Sequence, residues 1–410
     1  MASATPADKT LSDKSLDRYE SLLAEAARIR GVSLWKDAWR RLRKNWAAMI
    51  SLWFLVALVV VAFLTPFLPL QSPQFQLADK EHKYQPPNLE RINLNFQLED
   101  AKSLEREAAE LSARLRDLPK DAPEKERAAL RLDLEAKRRD HPFNRLWNEP
   151  GALTSALIRA RVALFGRWCI PSICGRDELG RDVLARIFWG ARVSLIVGTL
   201  AAMVSLVIGV SYGATSGYLG GWMDSAMMRV VDILYSIPFI FVVIFLITIL
   251  SASGVKDELA AYGIDQIAIF YVVIGAIYWL TMARVVRGQV ISLKHEQFVD
   301  AARTAGAGTG RIIFRHLIPN VMGIVIVYLT LTIPSVMLFE AFLSYLGLGV
   351  QPPDVSWGLL MNEGIRVITP VAIFWWLVLF PGLALAMTLF ALNFLGDGLR
   401  DALDPKMKNR

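Results

Sequence analysis

The stretch DAARTAGAGTGRIIFRHLIPN, residues 300–320, decides how this sequence is read. It is polar, basic and glycine-bearing, yet a window free of Asp, Glu, Lys and Arg ends at 283 before it, and another begins at 318. Phe298, Ala301, Ala302 and Ala305 fall at helical spacing and form a stripe that is small apart from its first member. Gly306 supplies a permissive hinge, after which Ile312, Ile313 and Leu317 form a second apolar face punctuated by Arg311 and Arg315. Two short helices at an angle, half apolar and half basic, suit docking in a groove of another protein. A basic connection that merely orients a membrane protein would use the same residues.

Outward from this stretch the chain is built for a bilayer. Of 410 residues 54% are hydrophobic, too apolar for an ordinary soluble protein of this size. Six charge-free windows, 46–70, 193–223, 233–255, 266–283, 318–339 and 367–396, are long enough to cross the hydrocarbon core as helices. A membrane barrel would instead show many short segments of alternating polarity. The first window follows some 45 residues of chain and exceeds the apolar length of a cleaved signal, so it is expected to stay as a helix.

The net charge of +7 follows topology and points to no nucleic-acid partner. Arg40, Arg41, Arg43 and Lys44 crowd the start of the first window, and Arg284, Arg287, Lys294, Arg303, Arg311 and Arg315 fill the connection around the opening stretch. Arg400, Lys406, Lys408 and Arg410 end the sequence, while the short opposite loops hold essentially Lys256 and Arg366. With an even number of spans, the positive-inside rule places both termini and the 300–320 stretch in the cytoplasm. The long connection 71–188 lies outside that rule and is expected on the other side.

Along the chain, 1–32 reads as a cytoplasmic tail and 33–45 as an interfacial elbow helix. There Leu34, Trp35, Ala38, Trp39 and Leu42 share one face, and lysines and arginines lie mostly elsewhere. Window 46–70 is the first span, and 71–188 is an extracytoplasmic insertion. Within it Leu104, Ala108, Leu111, Leu115 and Leu118, then Leu130 and Leu134, predict a helical hairpin over about 99–140, reversed at Pro119 and Pro123 with Asp121 available as a cap. The hairpin is either a solvated insertion or a docking surface. Cys169 and Cys174, the only cysteines, flank Pro171; a disulfide and two buried thiols are both open. Residues 189–398 form the transmembrane core, with coupling helices over about 294–318, and 399–410 a cytoplasmic tail.

Bond chemistry is missing. No GxxxxGK[ST] loop occurs, and GAGTG at 306–310 lacks the spacing of a dinucleotide site. The four histidines, His82, His141, His295 and His316, make no HExxH pair, and no GxSxG elbow is present. No catalytic residues, metal or chain-bound cofactor are expected. Glu340 interrupts an apolar stretch, where a charge needs water or a partner; it either faces a pore or sits near the outer interface. Pro238, Pro334 and Pro381 break backbone hydrogen bonding within spans, lining a pore or kinking helices. Tyr235, Pro238, Pro334 and Glu340 are the candidate pore or gating residues, and Arg229 with Asp232, three apart, are expected to pair.

The opening stretch resembles the EAA motif of ABC importer permeases: Asp300, Ala301, Ala302, Gly306 and Pro319 match its register, with Asp300 where glutamate is usual. CGRDELGRDVLARIFWGARVSL, MMRVVDILYSIPFIF, FLSYLGLGVQPPDVSWGLLM and NFLGDGLRDALDPK are similar to segments of the C-type permease subunits of dipeptide and oligopeptide importers. The likeness covers about 33–70 and 175–408, and nothing transfers onto the longer insertion at about 90–150. It implies an all-α membrane protein with six transmembrane helices of the type I importer kind, in which Asp300, Ala301, Ala302, Arg303, Gly306, Arg311, Arg315 and Pro319 couple to an ATP-binding subunit. The implied partners are a homologous second permease, one or two ATP-binding subunits carrying ATP and Mg, an extracytoplasmic solute-binding protein, membrane lipid and a peptide substrate, in the bacterial inner membrane. Import of a nickel chelate, opine or sugar-like solute is the alternative within the family. A proton-coupled carrier and a membrane-anchored scaffold are the alternatives outside it.

Overall fold

Each apolar window becomes helix, but the helix ends are set by capping and by buried ion pairs rather than by where charge begins. The computed structural model of the chain describes residues 34–77, 81–90, 93–94, 98–119, 123–147, 150–250 and 266–403. The tail 1–32, most of the tail 399–410, Asp121 and the loop with Lys256 lie outside these residues.

Helix α1, Leu34–Lys44, is the elbow; Ala38 and Leu42 are buried against Ala48 and Ala402, and Arg41 pairs with Asp37 at 2.9 Å. Asn45 ends it and caps α2, Trp46–Leu64, its Oδ1 accepting from Ala48 N at 3.2 Å. In the insertion, α3 (Leu98–Asp117) and α4 (Glu124–Asp140) occupy the range read as a helical hairpin, with Lys137 Nζ 2.6 Å from Glu107 Oε2. Two further helices went unforeseen, α5 (Pro142–Trp147) and α6 (Ala152–Phe165). With Phe75, Leu94 and Ala101 they build a separate core from Phe143, Leu146, Trp147, Ile158 and Val162.

The second span is longer than its window. Helix α7, Val183–Leu219, begins ten residues early, at an Asp182 cap whose Oδ2 accepts from Ala185 N at 2.8 Å. Arg186 and Arg192, which closed the window, sit inside the helix: Arg186 between two carboxylates, Arg192 over the Trp189 ring at 4.9 Å. The helix therefore starts within the range read as insertion. The third window is split between α8 (Gly221–Ser236) and α9 (Phe239–Leu250), a pair bent by 83° around Pro238. The fourth lies on α10, Gln266–Leu293. Helix α11, Gln297–Thr304, follows, then α12, Thr309–Tyr345, which contains a π-helical turn at Ile312–Leu317. A short α13, Trp357–Arg366, precedes α14, Trp376–Leu403, which runs past its window through Asp397 and Arg400.

Among the described residues there is no strand, and α2, α7, α12 and α14 are each long and apolar enough to cross a membrane, or five spans if the bent α8–α9 pair is one. The chain is an all-α membrane protein.

The tightest joint is α7 against α10. Ala201, Ser205, Gly209, Gly213 and Gly217, one every fourth residue, are all buried on one face of α7. A Cβ on Gly209 would lie 2.6 Å from Met282 Cβ, one on Gly217 2.8 Å from the Arg287 carbonyl oxygen, and one on Gly213 would overlap the Ala283 carbonyl. The two backbones thus approach as small-xxx-small faces do in lipid, where packing rather than water expulsion holds helices together. Gly288, on α10, has nothing within 4 Å of its missing Cβ. Gly213→Ala is therefore expected to lower the thermal unfolding midpoint in detergent, at a cost of about 1–3 kcal/mol from overpacking. Gly288→Ala is expected to leave the midpoint unchanged or raise it, by up to about 1 kcal/mol of helix propensity.

Candidate functional site: the 294–319 connection

The connection between α10 and α12 is anchored by its buried face and by cations. Val299 and Ala302 of α11 pack with Val286 and Val290 of α10, Ala214 of α7 and Ile312, Ile313 and Leu317 of α12. The stripe expected from Phe298, Ala301, Ala302 and Ala305 is divided: Ala302 faces the core, and the other three are exposed. The buried β-branched Val299 rotates the inward face, and Phe298 is left on the surface.

Helix α11 ends in a Schellman turn. Ala307 N donates to Ala302 O at 3.0 Å and Gly306 N to Arg303 O at 2.9 Å, with Gly306 at φ +78°. No atom lies within 4 Å of where a Gly306 Cβ would be, so backbone conformation and not crowding requires glycine there. The π turn then brings Ile312, Ile313 and Leu317 inward and leaves Arg311, Phe314 and Arg315 exposed. Such turns recur at functional sites. Pro319 is the second residue of the α-helical run that follows, where a missing N–H costs little.

Three cationic side chains hold this end of the bundle, Lys294 and Arg303 on the end of α7 and Arg287 of α10 on Asp224 at the start of α8. Lys294 Nζ donates to Gly217 O at 3.1 Å, as suits a helix C-terminus. Arg303 lies over the Tyr218 ring at 5.4 Å and pairs with Asp300 at 3.2 Å. Arg287 grips Asp224 with Nε–Oδ1 at 2.5 Å and Nη2–Oδ2 at 2.6 Å, and Ser216 Oγ donates to the same carboxylate at 2.5 Å. Among the residues left exposed are Phe298, Asp300, Ala301, Arg303, Ala305, Arg311, Phe314 and Arg315, apolar and basic side chains on a face whose other side is packed.

The profile of the family described as binding-protein-dependent transport system inner membrane component matches residues 205–409, which contain this connection. A second profile, the N-terminal TM domain of oligopeptide transport permease C, matches 33–87. The dipeptide transport system permease protein of Bacillus subtilis is 35% identical over 393 residues, 96% of this chain and 92% of that protein. The chain belongs to the family of binding-protein-dependent transport system inner membrane components. Oligopeptide transport system permease proteins are similar over 234 residues. That of Haemophilus influenzae is 48% identical, covering 57% of this chain and 70% of that protein; that of Escherichia coli K12 is 46% identical, covering 57% and 72%.

In this transport-system component the candidate pore residues do not gather into one site. Tyr235 is exposed, its hydroxyl 3.1 Å from Thr281 Oγ1 and its ring 4.3 Å beneath Arg284. Pro238 stands between α8 and α9, while Pro334 is buried inside α12. Glu340 is satisfied within the chain. It is 1% exposed and accepts from Ser344 Oγ at 2.7 Å and Ser356 Oγ at 2.8 Å, tying α12 to the start of α13. Asp232 pairs with Arg284 at 2.7 Å and not with Arg229, because α10 brings a guanidinium across from another helix.

At the opposite end of the bundle, Arg186 bonds both Asp177 and Glu363, and Arg181 Nε bonds Asp177 Oδ2 at 2.7 Å. These four floor a cavity of about 960 Å³ whose wall includes Pro381. No pattern in the sequence marked this network, since its members come from the segment before α7, from the first turn of α7 and from α13.

The disulfide is not formed. Both cysteines are free and buried: Cys169 sits in the insertion core and accepts from Arg161 Nη2 at 3.1 Å, while Cys174 packs with Val183, Trp376 and Leu377. Burial, reinforced by Asp182, pushes the Cys174 thiol to about 12, and burial also raises Cys169 against the pull of Arg161. A mass-adding alkylating reagent at pH 8 is expected to leave the folded chain unlabelled within minutes and to add two labels after unfolding without reductant. No label at all in the unfolded, unreduced chain would re-establish the bond.

Proposed function

We propose that this chain is the permease subunit of an ATP-driven importer of dipeptides or oligopeptides and forms half of the translocation pore. What carries the proposal is the 294–319 connection: an exposed apolar and basic surface, braced on α7, α10 and α12, at a place where the family's EAA-like residues fall in register. Such a surface suits the groove of an ATP-binding subunit, with ATP and Mg held by that partner. Asp300, Ala301, Arg303, Arg311 and Arg315 contact it, Ala302, Gly306 and Pro319 shape the turn, and the bound partner's closure is passed to the helices behind.

The rest of the assembly follows from the same family. A homologous second permease completes the pore, and an extracytoplasmic solute-binding protein delivers the solute. The concentration of Lys and Arg at the elbow and in the 284–315 segment supports a multi-pass inner-membrane protein with both termini in the cytoplasm and the hairpin outside. Peptide as solute is supported by the names of the relatives; the hydrophobic spans add no selective charge of their own.

Gly306→Val forces a β-branched residue to φ +78°, a strained conformation that asparagine tolerates. In proteoliposomes holding the whole importer, Gly306→Val is expected to insert and assemble, yet to lower ATP-dependent uptake at least about tenfold, while Gly306→Asn retains most of it. Normal uptake by the valine variant would remove this turn from the coupling path.

A further inference from the structure

Helix α6 has two apolar faces, and the protein covers only one of them. Ile158, Arg161 and Val162 are buried in the insertion core. The opposite arc is formed by Ala152, Leu153, Ala156, Leu157, Ala160, Ala163 and Leu164; all are exposed except the half-buried Leu157, with Leu153 at 74% and Leu164 at 66%. The charge at the edge of this arc is Arg159, whose guanidinium turns away to Glu105 of the hairpin.

A broad apolar arc on a helix calls for burial against protein or lipid. At 14 residues α6 is about 21 Å long, too short to cross about 30 Å of hydrocarbon. Its place in the fold says what lies against it. Arg161 Nη2 donates to Leu70 O at 3.0 Å and its Nε to Leu68 O at 3.2 Å, just beyond the end of the first span. Phe165 stacks edge-on with Phe67 at 6.0 Å and neighbours Trp168 at 6.3 Å, and Trp168 is 40% exposed. Aromatic rings at a span's end mark the headgroup level of a bilayer.

We infer that α6 lies on the membrane surface at the end where α2 finishes, its Leu153–Leu157–Ala160–Leu164 arc in the lipid of that leaflet, so that the insertion is moored to the membrane and not only to the bundle. The arc is apolar and, but for the half-buried Leu157, exposed, and Arg161 and Phe165 hold its helix to the residues just after the first span. Arg159 and the hairpin mark its water side.

Nitroxide labels test this in the complete importer reconstituted in phosphatidylcholine–phosphatidylglycerol vesicles, the native thiols being buried. Leu157→Cys, Ala160→Cys and Leu164→Cys are read by collision with oxygen, which concentrates in lipid, and with a nickel chelate, which stays in water. Leu132→Cys, 66% exposed on the hairpin, is the aqueous reference. The oxygen-to-nickel collision ratio is expected to be at least about fivefold higher at 157, 160 and 164 than at 132. Ratios equal to that at 132 would place the arc in water, and exclusion of both colliders would show a protein partner covering it; either result overturns the mooring. Ala160→Cys is nearly isosteric, so a folding defect in either leucine variant of α6 leaves the measurement standing. The outcome is independent of which solute is carried.

Discussion

The approach of α7 to α10 without intervening side chains is the constraint on which the rest depends. In a bilayer, apolar side chains gain nothing by leaving lipid for one another, so a helix pair must hold by close contact and by polar bonds made where backbones nearly touch. Ala201, Ser205, Gly209, Gly213 and Gly217 provide that contact over four turns. The polar bonds cluster just beyond it: Arg287 on Asp224, Ser216 on the same carboxylate, and Lys294 on the Gly217 carbonyl. Because α10 is fixed at this depth, α11 emerges at a defined height, with Val299 and Ala302 directed at the core and the basic residues outward.

Charge-free windows found the helices, and their centres were legible for a simple reason: lipid forbids unpaired charge. Their ends were not, because the same rule has an exception for paired charge. Arg186 lies inside α7 between Asp177 and Glu363, and Asp224 lies inside α8 in the grip of Arg287. Glu363 and Arg287 are distant in sequence from the charges they pair with, so no local count of charges finds the true helix start. Asp232 makes the point on a smaller scale. An i, i+3 partner was at hand on its own helix, but Arg284 arrives from α10 and takes it.

The 294–319 connection was legible in outline because turns obey local rules. Gly306 reads as a hinge and occupies a left-handed position, and Ile312, Ile313 and Leu317 read as one buried face and are one. The face of α11 was harder to assign. On eight residues, Phe298 and Val299 compete for the core, and tertiary packing chose the smaller. The glycine face of α7 was visible in principle as a small residue at every fourth position. Glycine read singly suggests flexibility; at a four-residue period inside a span it signals a neighbour. Glu340 shows the converse, since a lone acid in an apolar run invites a pore but is satisfied by two serines, one of them a helix cap sixteen residues on.

These joints give α7 an unusual position in the molecule. At its start, Arg186 is bound to Glu363 of α13, Trp357 Nε1 donates to Ile187 O at 2.9 Å, and Trp357 N donates to Ser194 Oγ at 3.2 Å. At its end, Lys294 and Arg303 rest on Gly217 and Tyr218. One continuous 37-residue helix, about 55 Å long, thus holds the far-end network at one tip and the 294–319 connection at the other. Glycines ordinarily weaken a helix, but Gly209, Gly213 and Gly217 are covered by α10, so the residues that permit close packing are the ones that packing supports. The buried face of α11 rests on the α7–α10 pair, and the cavity at the far end is lined in part by Val183 and Arg186 of that same α7.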